Sequence, residues 1–243
     1  MEMITSRNNS KILKVISLYD EENIIKEGLF VNEGLINLKE ALKWGEVSEI
    51  YLLNKYKDEL DGLNIPMYIV SEDVLKKMSK LKNPSGIVFV SKVPVFENKN
   101  YNKIIYLDEV QDPGNVGTII RTALAFNYDL VVLSEKCASK FNNKVLSASR
   151  GSIYKMPVIK KDFSSLIDEY KNHELVATTL DYDSVDLEDV KLKNKFILIF
   201  GNEGHGIKKE IVSKCHKKVK IEMNEIDSLN VALSSAIVLY KFK

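Results

Sequence analysis

Leu107-Asp-Glu-Val-Gln-Asp-Pro-Gly-Asn-Val-Gly-Thr-Ile-Ile-Arg-Thr-Ala123 follows directly on the apolar run Lys103–Leu107. The run reads as a strand. Pro113 and Gly114 make a turn, and residues 116–127 read as a helix, with Asn115 placed where an N-cap belongs. Arg121 lies about one and a half turns into that helix. Its neighbours Gly117, Thr118, Leu124 and Ala125 are small or apolar, an unusual setting for a solvated arginine. Two readings stand side by side. One is a capped helix with a surface arginine; the other is an amide and a fixed cation aimed at an anionic or oxygen-rich ligand.

Outward from this stretch the pattern alternates. Further strands are read at 130–133, 175–177, 196–200 and 219–221, and helices near 142–150, 163–171, 208–215 and 231–242. Apolar strands separated by helices predict a mainly parallel sheet with helices on both faces. Ligands of such sheets sit at the carboxyl ends of the strands, so the strand-end loops are the places to search. After 196–200 comes Gly201-Asn-Glu-Gly-His-Gly206. Its glycines allow a ligand to approach the backbone closely, but the spacing is neither the dinucleotide fingerprint nor a phosphate-binding loop. Glu203 is either a helix-start carboxylate favoured by the helix dipole or a ligand-binding group. His205 reads as a loop residue without a chemical role. After 219–221 comes Glu222-Met-Asn-Glu-Ile-Asp-Ser-Leu-Asn230, where Ser228 or Asn230 is suited to cap the last helix.

Residues 1–95 read as a separate small α/β block. Ser10 is placed to cap a helix running through Leu13, Val15 and Leu18. Strands are read at 29–31, 49–53, 67–70 and 87–90, with helices after Gly34 and Ser71. The aperiodic stretch 93–102 marks a break, giving domains at 1–95 and 103–243 joined by a linker at 96–102. The second block has enough apolar strands and helices to bury its own core.

The 243 residues carry 35 Lys and Arg against 34 Asp and Glu, a formal charge of +1. That balance excludes a uniformly basic nucleic-acid coat and leaves room for a local basic patch. Cys137 and Cys215 stand far apart in no metal-binding spacing, and the histidines form no metal pattern, so no metal is expected. No apolar segment approaches the ~20 residues needed to span a bilayer. The start of the chain shows no secretory signal, and a cytoplasmic protein is expected.

Taken together, Asp112-Pro-Gly-Asn-Val-Gly-Thr-Ile-Ile-Arg-Thr-Ala123, Gly201-Asn-Glu-Gly-His-Gly206 and Ser228-Leu-Asn-Val-Ala232 resemble the three signature motifs of the SpoU/TrmH-type RNA methyltransferases of the SPOUT superfamily. The stretch 148–157 resembles the family's connecting segment. Ile4-Thr-Ser6 and Phe30-Val-Asn-Glu-Gly34 resemble its small, ribosomal-protein-like N-terminal domain. The chain departs from the pattern at Glu222, where the family has proline, and at Asn224-Glu225, where it has a glycine.

The resemblance implies transfer of a methyl group from S-adenosyl-L-methionine to a ribose 2′-hydroxyl of RNA. Ribosomal RNA is favoured over transfer RNA by the separate N-terminal block; a non-catalytic RNA-binding protein keeping the fold is a third possibility. It also implies a C-terminal trefoil knot and a homodimer formed through that domain. Arg121, Asn115, Glu203, Ser228 and Asn230 are the implied catalytic residues. An arginine rarely gives up its proton, so Arg121 is assigned to an RNA phosphate or the developing alkoxide. Thr178, Thr179, Leu180, Gly201, Asn202, Gly206, Ile221, Met223, Leu229 and Asn230 are the implied cofactor pocket. Arg7, Asn8, Lys11 and Lys14, together with Arg121, are candidate RNA contacts, and Lys76, Lys77, Lys80 and Lys82 form a second basic cluster. Each basic cluster also reads as an ordinary solvated face.

Overall fold

The computed structural model describes residues 2–97, 100–226 and 228–243, with Glu2 described by its backbone alone. The linker expected over 96–102 includes Asn98 and Lys99, which lie outside the described residues. In chain order the elements begin β1 (Glu2–Ile4), α1 (Ser10–Ser17), α2 (Glu21–Glu27), β2 (Leu29–Glu33), α3 (Leu35–Trp44), β3 (Val47–Leu52), β4 (Met67–Val70), α4 (Glu72–Met78) and β5 (Ile87–Lys92). They continue with β6 (Lys103–Leu107), α5 (Pro113–Ala125), β7 (Leu130–Leu133), α6 (Asn143–Ser149), β8 (Val158–Lys160), α7 (Phe163–Glu169) and β9 (Glu174–Thr178). The last are β10 (Val185–Asp186), β11 (Phe196–Phe200), α8 (Lys209–Val212), β12 (Lys217–Lys220) and α9 (Val231–Lys241).

The chain forms two compact units. One comprises the residues up to Phe96 together with Phe141–Tyr154; the other comprises Glu97–Lys140 and Lys155–Lys243. The helix read over 142–150 therefore forms, but it packs in the first unit and not in the second. The cause is visible at Glu33. Its buried carboxylate accepts the Asn143 side-chain amide at 3.1 Å and the Lys80 N–H at 3.0 Å, and also the Ser79 hydroxyl. Nearby, α6 buries Val145 and Leu146.

The first unit has a mixed five-stranded sheet in the order β1-β4-β3-β5-β2. β1, β4 and β3 run parallel, and β5 is antiparallel to both β3 and β2. α1 buries Ile12 and Val15 against Val74 and Met78 of α4, over Val31, Tyr51, Val88 and Val90 of the sheet. Asn9, not Ser10, caps α1, because the shorter reach of an Asx turn lets its Oδ1 accept the Lys11 N–H at 2.9 Å. The acidic run Asp20-Glu21-Glu22, not read as structure, is the cap and first turn of α2, where carboxylates meet the positive end of the helix.

The second unit has a seven-stranded sheet in the order β10-β12-β9-β11-β6-β7-β8. Every pairing in it is parallel. All residues of β11 are buried, as expected for a central strand with both faces covered. Ile104, Tyr106, Ile197 and Ile199 pack with Phe163 and Leu166 of α7 and Ile211 of α8. The alternating Ile105, Leu107, Leu198 and Phe200 are equally buried, so both faces are covered. Two short strands escaped the sequence reading, β8 and the edge strand β10, since two or three residues carry no period. β12 lies one to two residues earlier than read, and α8 is confined to Lys209–Val212. Among the described residues no helix is long and apolar enough to cross a membrane.

Candidate active site

The carboxyl ends of β9, β11 and β12 open onto one cavity of about 620 Å³ in the second unit. A volume of that size falls within the usual range for small-molecule sites. Thr178, Thr179 and Leu180 line it from the end of β9, and Gly201, Asn202 and Gly206 from the loop after β11. Ile221, Met223, Leu229 and Asn230 line it from the stretch that leads to α9, and Glu203 and Ser228 stand on its border. The cavity thus brings together every residue assigned to the cofactor pocket from sequence.

The loop after β11 is closed on itself. Asn202 and Gly206 exchange backbone hydrogen bonds of 3.1 and 3.0 Å. A Cβ on Gly201 would lie 2.2–2.6 Å from the Gly206 and Ile207 backbone, so only glycine fits there. The Asn202 carboxamide Oδ1 accepts the Gly204 N–H at 2.8 Å, and its Nδ2 donates to the Glu109 carbonyl at 2.7 Å.

Three loops meet through one chain of amides. Asn230 caps α9, its Oδ1 accepting the N–H groups of Ala232 and Leu233 at 2.9 and 3.3 Å. Its Nδ2 donates to Asn115 Oδ1 at 3.0 Å, and Asn115 Nδ2 donates to Glu203 Oε1 at 2.9 Å. Backbone N–H groups at one end can only donate and a carboxylate at the other can only accept, so the orientation of both amides is fixed. Glu203 also accepts the N–H groups of Gln111 and Asp112, each at 3.3 Å. Desolvation pushes the Glu203 carboxyl upward, but the Asn115 amide and the backbone N–H groups outweigh it and hold the pKa below the usual carboxylate range.

Asn115 does not cap α5. Asp112 does, accepting the Asn115 N–H at 2.9 Å with Pro113 in the first turn. This frees the Asn115 side chain to bridge the other two loops. Of the two candidates for capping α9, Asn230 is the one used. Arg121 stands apart. It is exposed on α5, does not line the cavity, and makes no hydrogen bond or ion pair among the described residues. Six residues separate it from Asn115, about 240° around a helix, so the two leave α5 on different sides.

The candidate RNA contacts other than Arg121 lie in the first unit. Arg7, Asn8, Lys11 and Lys14 are all exposed. The Lys77 ammonium donates to the Arg7 carbonyl at 2.8 Å and to Asn8 Oδ1 at 3.3 Å, joining the two basic clusters of the sequence into one patch. Lys11 donates to the Tyr68 hydroxyl at 3.0 Å. Among the described residues no group of three or more His, Cys, Asp or Glu could hold a metal ion.

One cluster beneath the loops was missed in the sequence. Asp108 is fully buried and Glu109 nearly so. The Glu109 carboxylate faces Lys208 at 2.6 Å, Lys136 at 3.2 Å and His205 at 3.8 Å. The hydrogen bond from Lys208 holds its pKa down. The signal available was a pair of adjacent carboxylates at the end of an apolar strand, where a solvated pair is out of place.

Residues 102–240 match the model of the SpoU rRNA methylase family, and residues 31–94 match that of the RNA 2′-O ribose methyltransferase substrate-binding domain. The 23S rRNA (guanosine(2553)-2′-O)-methyltransferase RlmP of Bacillus subtilis is 32% identical over 247 aligned residues, covering 100% of both chains. The crystal structure of an RNA 2′-O ribose methyltransferase superposes with a TM-score of 0.83 at 25% identity, over 98% of this chain and 97% of that one. The methyltransferase AviRb of Streptomyces viridochromogenes, solved with AdoMet, shares the fold with a TM-score of 0.83 at 20% identity, over 96% of this chain and 97% of the other.

Proposed function

The chain belongs to the SpoU rRNA methylase family, and from that premise we propose that it transfers the methyl group of S-adenosyl-L-methionine to a ribose 2′-hydroxyl of ribosomal RNA. The observation that carries this reading is the amide chain from α9 through Asn230 and Asn115 to Glu203, which ties the three signature motifs together on the rim of one cavity.

The residues fit the cofactor. An adenosyl group needs an apolar slot edged by backbone donors and acceptors; Ile221, Leu229 and Val238 supply apolar walls, and the ends of β9 and β11 supply backbone. Gly201 lets the loop pass without a side chain in the way. When bound, S-adenosylmethionine supplies an electrophilic methyl group on a sulfonium. The protein's part is to position the 2′-hydroxyl and stabilise the charge that develops on its oxygen. Glu203 is ionised at neutral pH and directed by Asn115. It fixes the loop after β11 and leaves a carboxylate edge at the rim. Arg121, whose side chain has no partner among the described residues, is free to take an RNA phosphate or the developing alkoxide with its planar fork.

We also propose the homodimer through the second unit. α9 exposes Leu233, Ile237 and Tyr240 to 59%, 43% and 58%, spaced so that they form one stripe. Leu233→Glu with Ile237→Glu is expected to give a monomer in sedimentation; an unchanged dimer would place the interface elsewhere. A trefoil knot in the C-terminal segment and a cytoplasmic location complete the reading.

The test is direct. Purified protein with labelled S-adenosylmethionine is expected to methylate 23S ribosomal RNA from a strain lacking the gene, and mass mapping locates the nucleotide. Methylation of transfer RNA alone would move the substrate assignment. Cofactor binding without transfer to either RNA would favour a non-catalytic protein.

A further inference from the structure

The loop after β11 is a small closed body, pinned by the Asn202–Gly206 bridge and by the close passage at Gly201. A closed body still has to be aimed. Glu203, the group it delivers, meets the segment after β6 through two long bonds of 3.3 Å and one of 2.9 Å from Asn115. Charged contacts lie at the root of the loop. The Lys208 N–H donates to Asp108 Oδ2 at 2.9 Å, and the Lys208 ammonium reaches Glu109 Oε1 at 2.6 Å and Asp108 Oδ1 at 3.8 Å. On the other side of the loop, Asn202 holds the Glu109 carbonyl at 2.7 Å.

The receiving end is built at a cost. Asp108 has no exposed surface, and its Oδ1 has no hydrogen-bond partner among the described residues. Glu109 adopts φ +56°, the left-handed region that residues with a Cβ seldom enter. That conformation is fixed from every side. The Glu109 N–H donates to Ser134 Oγ at 2.8 Å, its carbonyl accepts Asn202, and its carboxylate accepts Lys208 and Lys136, with His205 opposite. Strain held by surrounding contacts is the signature of a place where geometry matters more than stability. An exposed ion pair would be worth little, but these carboxylates are 0% and 7% exposed, and water screens them poorly.

We infer that Lys208 is a positioning residue for methyl transfer: by gripping Asp108 and Glu109 it locks the loop after β11 so that Glu203 meets Asn115. This rests on the methyltransferase reading. Lys208 does not line the cavity, and it acts through Glu203. Its side chain is 37% exposed, so shortening or neutralising it opens no hole in the core.

Lys208→Met, Lys208→Arg and Glu109→Gln in the full chain test it, each also in the Glu203→Ala background. Three measurements are made: kcat and KM on 23S ribosomal RNA, the Kd for S-adenosylhomocysteine, and amide exchange of residues 202–207. Lys208→Met is expected to lower kcat at saturating cofactor about tenfold or more, the scale of losing one charged hydrogen bond, and to lower the melting temperature, since the buried carboxylates lose a cation; kcat is therefore read at a temperature where the variant is folded. Amide exchange in the loop is expected to quicken. Lys208→Arg is expected to restore most of the rate, and Lys208→Met is expected to add nothing once Glu203 is gone. Wild-type turnover and exchange in Lys208→Met would overturn the assignment, as would an undiminished Lys208→Met effect in the Glu203→Ala background. If the wild-type chain binds no S-adenosylhomocysteine, the methyltransferase reading fails instead, and the exchange measurement still decides whether Lys208 holds the loop.

Discussion

The two sheets of this chain use their strands differently. In the first unit β5 runs against β3 and β2, so strand ends of both kinds share each edge of the sheet. Its candidate RNA contacts sit on the turn before α1, on α1 and on α4. In the second unit all strands run one way, so every carboxyl end opens on the same edge. Loops separated by dozens of residues in sequence converge there, and the polar side chains they carry form one hydrogen-bonded chain. A parallel sheet concentrates chemistry at one edge, whereas this mixed sheet spreads its polar groups over a surface. Substitutions at the convergence point should therefore act sharply, and those on the first unit weakly and additively.

The sharpest expected effect is at Arg121. Arg121→Ala should cut turnover by the scale of one lost transition-state donor, about 2.7–4 kcal/mol, with S-adenosylhomocysteine affinity unchanged because Arg121 does not line the cavity. Arg121→Lys should recover little, since a point charge does not replace a planar fork. Turnover of either variant near wild type would remove Arg121 from the chemistry. Gly201→Ala comes next. The added Cβ meets main chain and not a flexible side chain, so the loop must shift, at about 1–3 kcal/mol. Calorimetry should show weakened binding of S-adenosylhomocysteine, and a variant that binds normally would show that the loop tolerates displacement.

Asn115→Ala probes the amide chain by pH. The folded Glu203 pKa is depressed, so its stabilising contribution is complete above the unfolded carboxylate range and is lost as pH falls through the folded value. Removing the Asn115 donor should raise the folded pKa and move the acid loss of S-adenosylhomocysteine binding to higher pH. An acid limb identical to wild type would mean that the backbone donors alone set Glu203.

Much of this was readable beforehand, and the misses share a cause. β6, β7 and β11 are apolar on both faces, so their runs stand out in the sequence. The three polar loops stand out because each interrupts such a run. The unread elements are short or depend on distant partners. β8 and β10 are too short to show a period. α6 is legible as a helix, but its place in the first unit depends on Glu33, about 110 residues away. The caps were misread by one to three residues because Asn9 and Asp112 are capping residue types too and stand just before Ser10 and Asn115. The grip of Lys208 on Asp108 and Glu109 spans about 100 residues and has no local pattern. Glu225, where the family's glycine is missing, adopts φ +62°, so the departure noticed in the sequence falls on a backbone that favours glycine.

The mildest expected effect tests the other half of the comparison. Lys77 ties the turn at Arg7 and Asn8 to α4 and stands within the merged basic patch. If the first unit reads RNA through charges spread over a surface, no single lysine there dominates. Lys77→Ala should weaken RNA binding a few-fold and nearly uniformly across RNA sequences. It should lower the slope of log affinity against log salt by about one phosphate contact. Turnover at saturating RNA should not change, because the second unit's strand-end loops are untouched. Adding Lys11→Ala should lower the slope by a similar step, since spread contacts add. A collapse of turnover at saturating RNA from Lys77→Ala would show that the first unit does more than hold the RNA. A flat salt response would move the RNA surface away from α1 and α4.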